Sequence, residues 1–334
     1  MTLHRIGFVY RSSVQIADQA DQFDIKILRK HYDVSTIHVS PKNMIRTFFD
    51  FAIKAPKCDV LYVWFAGFQA VLAAVFAKLF HKKMVLLVGG YDAVANRKIG
   101  YGAFMTWYRS AMAHFSYRNA TLVLSVSMHT LRSVLRHDSP RKMMLLYNAV
   151  DSNRFVSFTP KEKVAMTVAY IDKANIIRKG LHVFAQAASY FDDVQFVLVG
   201  KDKDGSANEL KKESGDRLLI TGYLNDEKLL RFFSKSSVYL QLSYEESFGI
   251  ALAQAMSCEC IPIVTKLGAL PEVVGDTGYY VPYGDVDATV KAVKKALEDP
   301  KRTDLGKKAR ERIDSKFSLL ERERKLVSIL NDLQ

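Results

Sequence analysis

The chain has 334 residues, 49% of them apolar and 25% charged, which supports two real hydrophobic cores and excludes a disordered or low-complexity protein. Three cysteines are too few, and odd in number, for a disulfide framework, so a reducing compartment is expected. The net charge of +13 is lopsided: residues 1–150 hold 20 Lys and Arg against 8 Asp and no Glu, a net of +12, and the rest holds 28 against 27, a net of +1. Such a first half suits an anionic partner (a lipid surface, a lipid phosphate or nucleic acid), or it serves solubility alone.

Apolar, β-rich runs at Ile6–Tyr10, Val34–Val39, Val60–Trp64, Met84–Val88, Leu122–Val126 and Met143–Leu146 alternate with helical stretches. Those stretches are Gln19–His31, Phe68–Phe80, Ala103–Tyr117 and Met128–Arg136. Strands alternating with helices predict a parallel sheet covered on both faces. Phe68–Phe80 is too short to span a bilayer and reads as a core helix. Asn43–Lys57 mixes aromatic and basic residues; it suits a membrane surface and, equally, a helix packed on its own domain. No leader pattern is read at the N-terminus, so a cytoplasmic location is expected.

A polar stretch, Asp151–Lys163, interrupts the alternation, which then restarts. Strands are expected at Val164–Ile171, Val194–Gly200, Leu218–Ile220, Val238–Leu242, Ile261–Val264 and Tyr279–Val281. Helices are expected at Leu181–Phe191, Ala207–Lys212, Asp226–Ser234, Ala251–Cys258, Val286–Glu298, Leu305–Ile313 and Ser318–Leu333. The last has no strand after it and is expected to return to the first half. The organisation is therefore α/β: two Rossmann-like doubly wound domains, residues 1–155 and 156–315, with 316–334 as a returning helix. In such sheets ligands bind at the carboxyl ends of the strands, here expected to face an interdomain cleft.

No G-x-G-x-x-G follows the first strand, where Val9-Tyr10-Arg11-Ser12-Ser13 is free of glycine, and no P-loop, H-E-x-x-H or G-x-S-x-G occurs. Dinucleotide redox, nucleotide triphosphatase and common hydrolase chemistries lose support. Cys258-Glu259-Cys260 lacks partner ligands for a metal. The most informative stretch is Ser243–Cys258. Glu246 and Gln254, eight residues apart, are expected on one helical face, able to grip both ends of an extended polar ligand. Glu245 is read as an exposed neighbour. The helix start before them offers backbone N–H groups suited to phosphate.

Four segments in order resemble the family-4 retaining glycosyltransferases, which share the GT-B fold. They are Tyr147-Asn148-Ala149-Val150-Asp151 with Phe155, Arg178-Lys179-Gly180-Leu181, Gly222-Tyr223-Leu224, and Ser243 with Glu245-Glu246-Ser247-Phe248-Gly249 and Ala255-Met256. The run Gly268-Ala269-Leu270-Pro271-Glu272-Val273-Val274 also fits. The resemblance covers most of residues 147–290.

It implies sugar transfer from a UDP- or GDP-sugar, with retention and without a metal or other cofactor, to a lipid-linked or polysaccharide precursor. Lys179 then binds the donor phosphates and Glu246 lies at the donor sugar. Asp92, after Val88-Gly89-Gly90-Tyr91, is the candidate polar group of the reaction centre. Ser247, Phe248, Gly249 and Glu272 line the donor pocket. Arg11 and Gly90 lie on the acceptor side. The sequence departs from the family twice. Gln254 stands where a second Glu binds the ribose, and Ala174 and Lys173 stand where an arginine is usual, which leaves Lys173 or Arg178 for that contact. A nucleotide-sugar, an anionic or lipid-linked acceptor and a peripheral contact with an anionic membrane are the partners implied. No nucleic-acid module is recognisable. The departures also leave open a catalytically weak relative that binds a nucleotide-sugar or a partner.

Overall fold

A computed structural model of the protein describes residues 5–11, 19–40 and 42–333, and the side chains of 19–22 are outside the description; Ser12 and Ser13 lie outside it too. The chain divides into two compact units, residues 1–148 with 320–334, and residues 149–319. The sequence reading placed the divisions after 155 and 315.

The first unit runs β1 (Arg5–Arg11), α1 (Gln19–His31), β2 (Asp33–Val39), α2 (Met44–Lys54), β3 (Val60–Trp64), α3 (Phe68–Leu79), β4 (Lys83–Val88), α4 (Trp107–Asn119), β5 (Leu122–Ser125), α5 (Met128–His137) and β6 (Met143–Leu145). Its six strands are parallel, in the order β2-β1-β3-β4-β5-β6. All five residues of β3 are buried, the continuous apolar run that a strand covered on both faces requires. Ala103–Tyr117, expected as one helix, is a 3-10 turn at Ala103–Met105 followed by α4. Extended backbone at Thr106 (φ −128°, ψ 134°) separates the two.

The second unit runs β7 (Glu162–Val168), α6 (Lys173–Arg178), α7 (Leu181–Ala188), β8 (Gln195–Val199), α8 (Ala207–Glu213), β9 (Leu218–Gly222), α9 (Asp226–Lys235), β10 (Ser236–Gln241), α10 (Ile250–Ser257), β11 (Ile261–Thr265), α11 (Leu270–Val274), β12 (Tyr279–Val281), α12 (Val286–Glu298) and α13 (Arg302–Lys316). Its parallel order is β12-β11-β10-β7-β8-β9. From the β9 edge inward the order is that of a doubly wound sheet, and the direction of winding reverses between β7 and β10. The carboxyl ends of these two neighbouring strands are where such a sheet opens a ligand crevice. Helices α6 and α11 were missed from sequence. They have six and five residues, too few to show a helical period.

The chain ends in α14 (Leu319–Asn331), which belongs to the first unit. One buried ion pair ties it there. The Arg322 guanidinium donates to both carboxylate oxygens of Asp24 on α1, at 2.6 and 2.8 Å. It also donates to the carbonyls of Leu146 (3.2 Å) and Tyr147. Tyr62 and Trp64 of β3 donate to the same Asp24 at 2.7 and 3.0 Å. In the second unit, Val150 pairs with the segment entering α14: its N–H donates to Phe317 (2.8 Å) and its carbonyl accepts from Leu319 (3.1 Å).

Candidate functional site

The reversal between β7 and β10 carries the charged residues. After β7 the chain reaches Asp172, which caps α6 by accepting from the Asn175 N–H at 2.8 Å. Lys179 closes α6, and Gly180 turns the chain into α7 with φ +65°. A Cβ at Gly180 would lie 2.2 Å from the Leu242 carbonyl, so only glycine lets this turn approach the end of β10 so closely. The Arg178 carbonyl then accepts from the Tyr244 N–H at 2.8 Å. Two loops from different strands are thereby stitched together, and Lys179 meets Glu246.

Lys179 Nζ donates to Glu246 Oε2 in a short ion pair whose side chains are 16% and 12% exposed. Gln241, the last residue of β10, donates to the same oxygen at 3.1 Å and to Ser243 Oγ at 2.8 Å. The Gln241 side-chain carbonyl accepts from Tyr239 OH (3.2 Å), which accepts in turn from the Val168 N–H at the end of β7 (3.3 Å). Thr265 Oγ1 donates to the Ser243 carbonyl at 2.6 Å, and the Ala269 N–H donates to the Glu246 carbonyl at 2.8 Å. The ends of three strands thus fix one carboxylate from behind. Gly268 (φ +60°) packs on the Glu246 backbone, where a Cβ would sit 2.4 Å from its carbonyl oxygen.

Burial lowers the Lys179 ammonium, and the like charge of Arg178 adds to this against the pull of Glu246. Burial acts on Glu246 in the opposite sense, but Lys179, Arg178 and the Ser247 N–H outweigh it and hold the carboxyl below its ordinary range. The short contact between them is that of an ammonium donating to a carboxylate. The arrangement can offer an ammonium to an anion and a fixed carboxylate to hydroxyl donors.

The other residues singled out from sequence fall as follows. Glu246 is not on a helix with Gln254: α10 starts at Ile250 behind Gly249 (φ +91°), and Glu246 lies in the preceding loop. Gln254 sits inside the eight-residue α10 and is buried. Glu245, expected to be exposed, is also buried. The Phe248 side chain turns into the core against Phe317, with ring centroids 5.4 Å apart, so only its backbone is available to a ligand. Ser247 is half-buried, and its N–H serves Glu246. Arg178 donates to Asn175 Oδ1 at 2.6 Å. Lys173 opens α6 with an exposed side chain. Glu272, in α11, is half-buried, with its carbonyl held by Arg312. Gln241, Tyr239, Thr265 and Gly268 were not singled out. A polar residue closing an apolar strand, as Gln241 does, was the available signal.

In the first unit, Asp92 is 4% exposed and its carboxylate accepts from the N–H groups of Ala66 (2.8 Å), Gly89 (3.1 Å) and Gly90 (2.9 Å). Burial raises its pKa and these three bonds oppose the rise. The residue expected to reach a reaction centre is thus held by three backbone donors, two from its own loop and one from the segment after β3. Gly90 bends that loop with φ +122°. Arg11 ends β1 with its side chain exposed. Among the described residues no three His, Cys, Asp or Glu side chains gather as metal ligands.

Comparison with known proteins places a family match on the second unit. The family described as Glycosyl transferases group 1 matches residues 151–312. The chain is 25% identical over 243 residues to a phosphatidylinositol N-acetylglucosaminyltransferase component of Arabidopsis thaliana, covering 69% of this chain but only about half, 53%, of that protein. It is 25% identical over 285 residues to N-acetyl-alpha-D-glucosaminyl L-malate synthase of Bacillus anthracis, covering 81% and 72%. Among solved structures it superposes on HepE of Anabaena, in complex with UDP and glucose, with a TM-score of 0.80, 16% identity and coverage of 98% and 100%. Two six-stranded parallel sheets with flanking helices match the GT-B fold of such neighbours. Residues 151–312 thus match the group 1 glycosyl transferases, and the two sheets share the GT-B fold of these structural neighbours.

Proposed function

We propose that the protein transfers a sugar from a nucleoside diphosphate-sugar, UDP- or GDP-linked, to a lipid-linked or polysaccharide-precursor acceptor at a cytoplasmic membrane face, with retention and without a metal. The observation that carries this reading is the Lys179–Glu246 pair at the winding reversal of the second unit. A leaving diphosphate gathers negative charge as the glycosidic bond breaks, and a preorganised ammonium stabilises that charge where it develops. Lys179 supplies it, with Arg178 beside it and Lys173 at the start of the same short helix. Glu246, held by Gln241, accepts hydrogen bonds from sugar hydroxyls and orients the ring. Attack from the face the diphosphate leaves accounts for retention without a covalent intermediate. The names of the two curated relatives, both acting with N-acetylglucosamine chemistry and one on phosphatidylinositol, support a sugar donor and a lipid acceptor. The UDP complex of the structural neighbour supports a nucleotide-sugar.

Lys179→Ala is expected to abolish transfer and Glu246→Ala to cut it severely while both stay folded; full activity in both sinks the assignment. Melting with UDP, GDP or ADP and their sugars identifies the base, because a ligand far above its Kd stabilises by about 2–4 kcal/mol. Gln254 favours a second reading, a catalytically weak relative that binds the donor. A nucleotide-induced rise in melting temperature with neither transfer nor donor hydrolysis would select it.

A further inference from the structure

Helix α2 is apolar on two sides. Its inward side buries Thr47 and Phe51, and the Phe51 ring stacks 4.9 Å from Phe76 of α3. Its outward side carries Ile45, Phe48, Phe49 and Ile53, between 57% and 74% exposed. Their spacing places them on one stripe of the helix. Phe48 meets Phe76 edge-on at 5.1 Å, so the stripe reaches α3, whose Val75 and Leu79 are also exposed. Four large apolar side chains together on one exposed helix face mark an interaction surface.

Cations frame this surface. Lys42, Arg46 and Lys57 are exposed or half-buried at and around α2. At the end of α3, a cavity of about 240 Å³ is lined by Lys78, His81, Lys82, Arg118 and Arg141, with no acid in its wall. The nearby acids are already engaged: Asp50 pairs with Lys54 at 3.3 Å, and Asp138 with His114 and Arg118 at 2.8 and 3.2 Å. An apolar stripe beside concentrated positive charge complements a bilayer with anionic headgroups. It does not complement a second copy, because residues 1–150 carry a net +12 and would repel themselves.

We propose that the outward face of α2, continued by the end of α3 and its basic cavity, docks the protein on an anionic lipid bilayer. The apolar side chains enter the acyl boundary and the cavity's cations take lipid phosphates. The inference extends the lipid-acceptor part of the proposed function and needs neither the donor nor the transfer step.

The test is flotation of the full chain with vesicles of mixed phosphatidylglycerol and phosphatidylcholine, against phosphatidylcholine alone. Preferential binding to the anionic vesicles is expected, weakening with salt. Ile45→Ser with Phe49→Ser should lower the partition about tenfold or more. Lys78→Ala with Lys82→Ala should lower it several-fold, both variants melting as the parent does. The proposal is overturned if the parent does not float, if it floats equally on both vesicle types, or if well-folded variants float as the parent does. It is also overturned if the chain forms a dimer that Ile45→Ser with Phe49→Ser breaks, without vesicle binding. Flotation reads no nucleotide, so a failed donor assignment would leave a positive result standing.

Discussion

Two ion pairs, Arg322–Asp24 in the first unit and Lys179–Glu246 in the second, are built to opposite ends. Arg322–Asp24 in the first unit is 1% and 0% exposed, and both partners are engaged inside it: the guanidinium by two carboxylate oxygens and two carbonyls, the carboxylate by Tyr62 and Trp64 as well. Burial closes it off from a ligand. Lys179–Glu246 in the second unit keeps 16% and 12% of its side chains in contact with solvent. Its carboxylate is held from behind by Gln241, and the ammonium retains donors beyond the one Glu246 takes. Low dielectric makes both pairs consequential. One pair is enclosed among its partners, while the other keeps an edge that solvent reaches.

The contrast breaks most sharply if the enclosed pair is cut. Arg322→Ala leaves Asp24 buried without its cation, and a loss of about 3–5 kcal/mol in chemical denaturation is expected. A small loss would mean that the pair is not what ties α14 to its unit. Lys179→Ala is expected to abolish measurable transfer, a loss of at least about two to three orders of magnitude as for removing a preorganised charge donor, with little change in stability. A stability loss as large as that of Arg322→Ala would erase the distinction.

Gly180→Ala tests the turn that brings Lys179 to Glu246. A Cβ 2.2 Å from the Leu242 carbonyl, in a left-handed backbone, should cost about 1–3 kcal/mol by thermal melting and lower activity with it. The smallest effect is the pH dependence of the open pair. The Glu246 carboxyl is held below its ordinary range, so its ion pair contributes stability above the unfolded-state value that is lost as pH falls through the folded one. The stability difference between the parent and Glu246→Gln should therefore shrink on acidification. A difference that grows would reverse the sign of the interaction.

Much of the fold was legible because buried parallel strands announce themselves. Val60–Trp64 and Tyr279–Val281 were read to the residue, and so was the helix Val286–Glu298, where Asp285 caps a clear apolar period. Short elements were not. Helix α6 buries Ile176 alone, and α11 is a single turn and a half, so neither carries a pattern. The family resemblance points to Lys179 and Glu246, and the structure brings the two together. Their holders were not legible: Gln241 and Thr265 act through strand register, and Gly268 through a backbone contact with a distant loop. Asp92 shows the converse. A carboxylate after Gly-Gly looks available in a string of letters, and only three-dimensional convergence of the Ala66, Gly89 and Gly90 amides reveals that it is already used.

The return of α14 has a consequence for biosynthesis. The first unit is discontinuous: its helix α1 and strand β3 present Asp24, Tyr62 and Trp64 to a guanidinium that arrives 298 residues later. During translation the second unit, contiguous from 149 to 319, can close its core while the first still waits with a buried carboxylate unmatched. Of these two units, the one whose synthesis starts earlier is thus completed later, and until α14 is released Asp24 lacks its guanidinium.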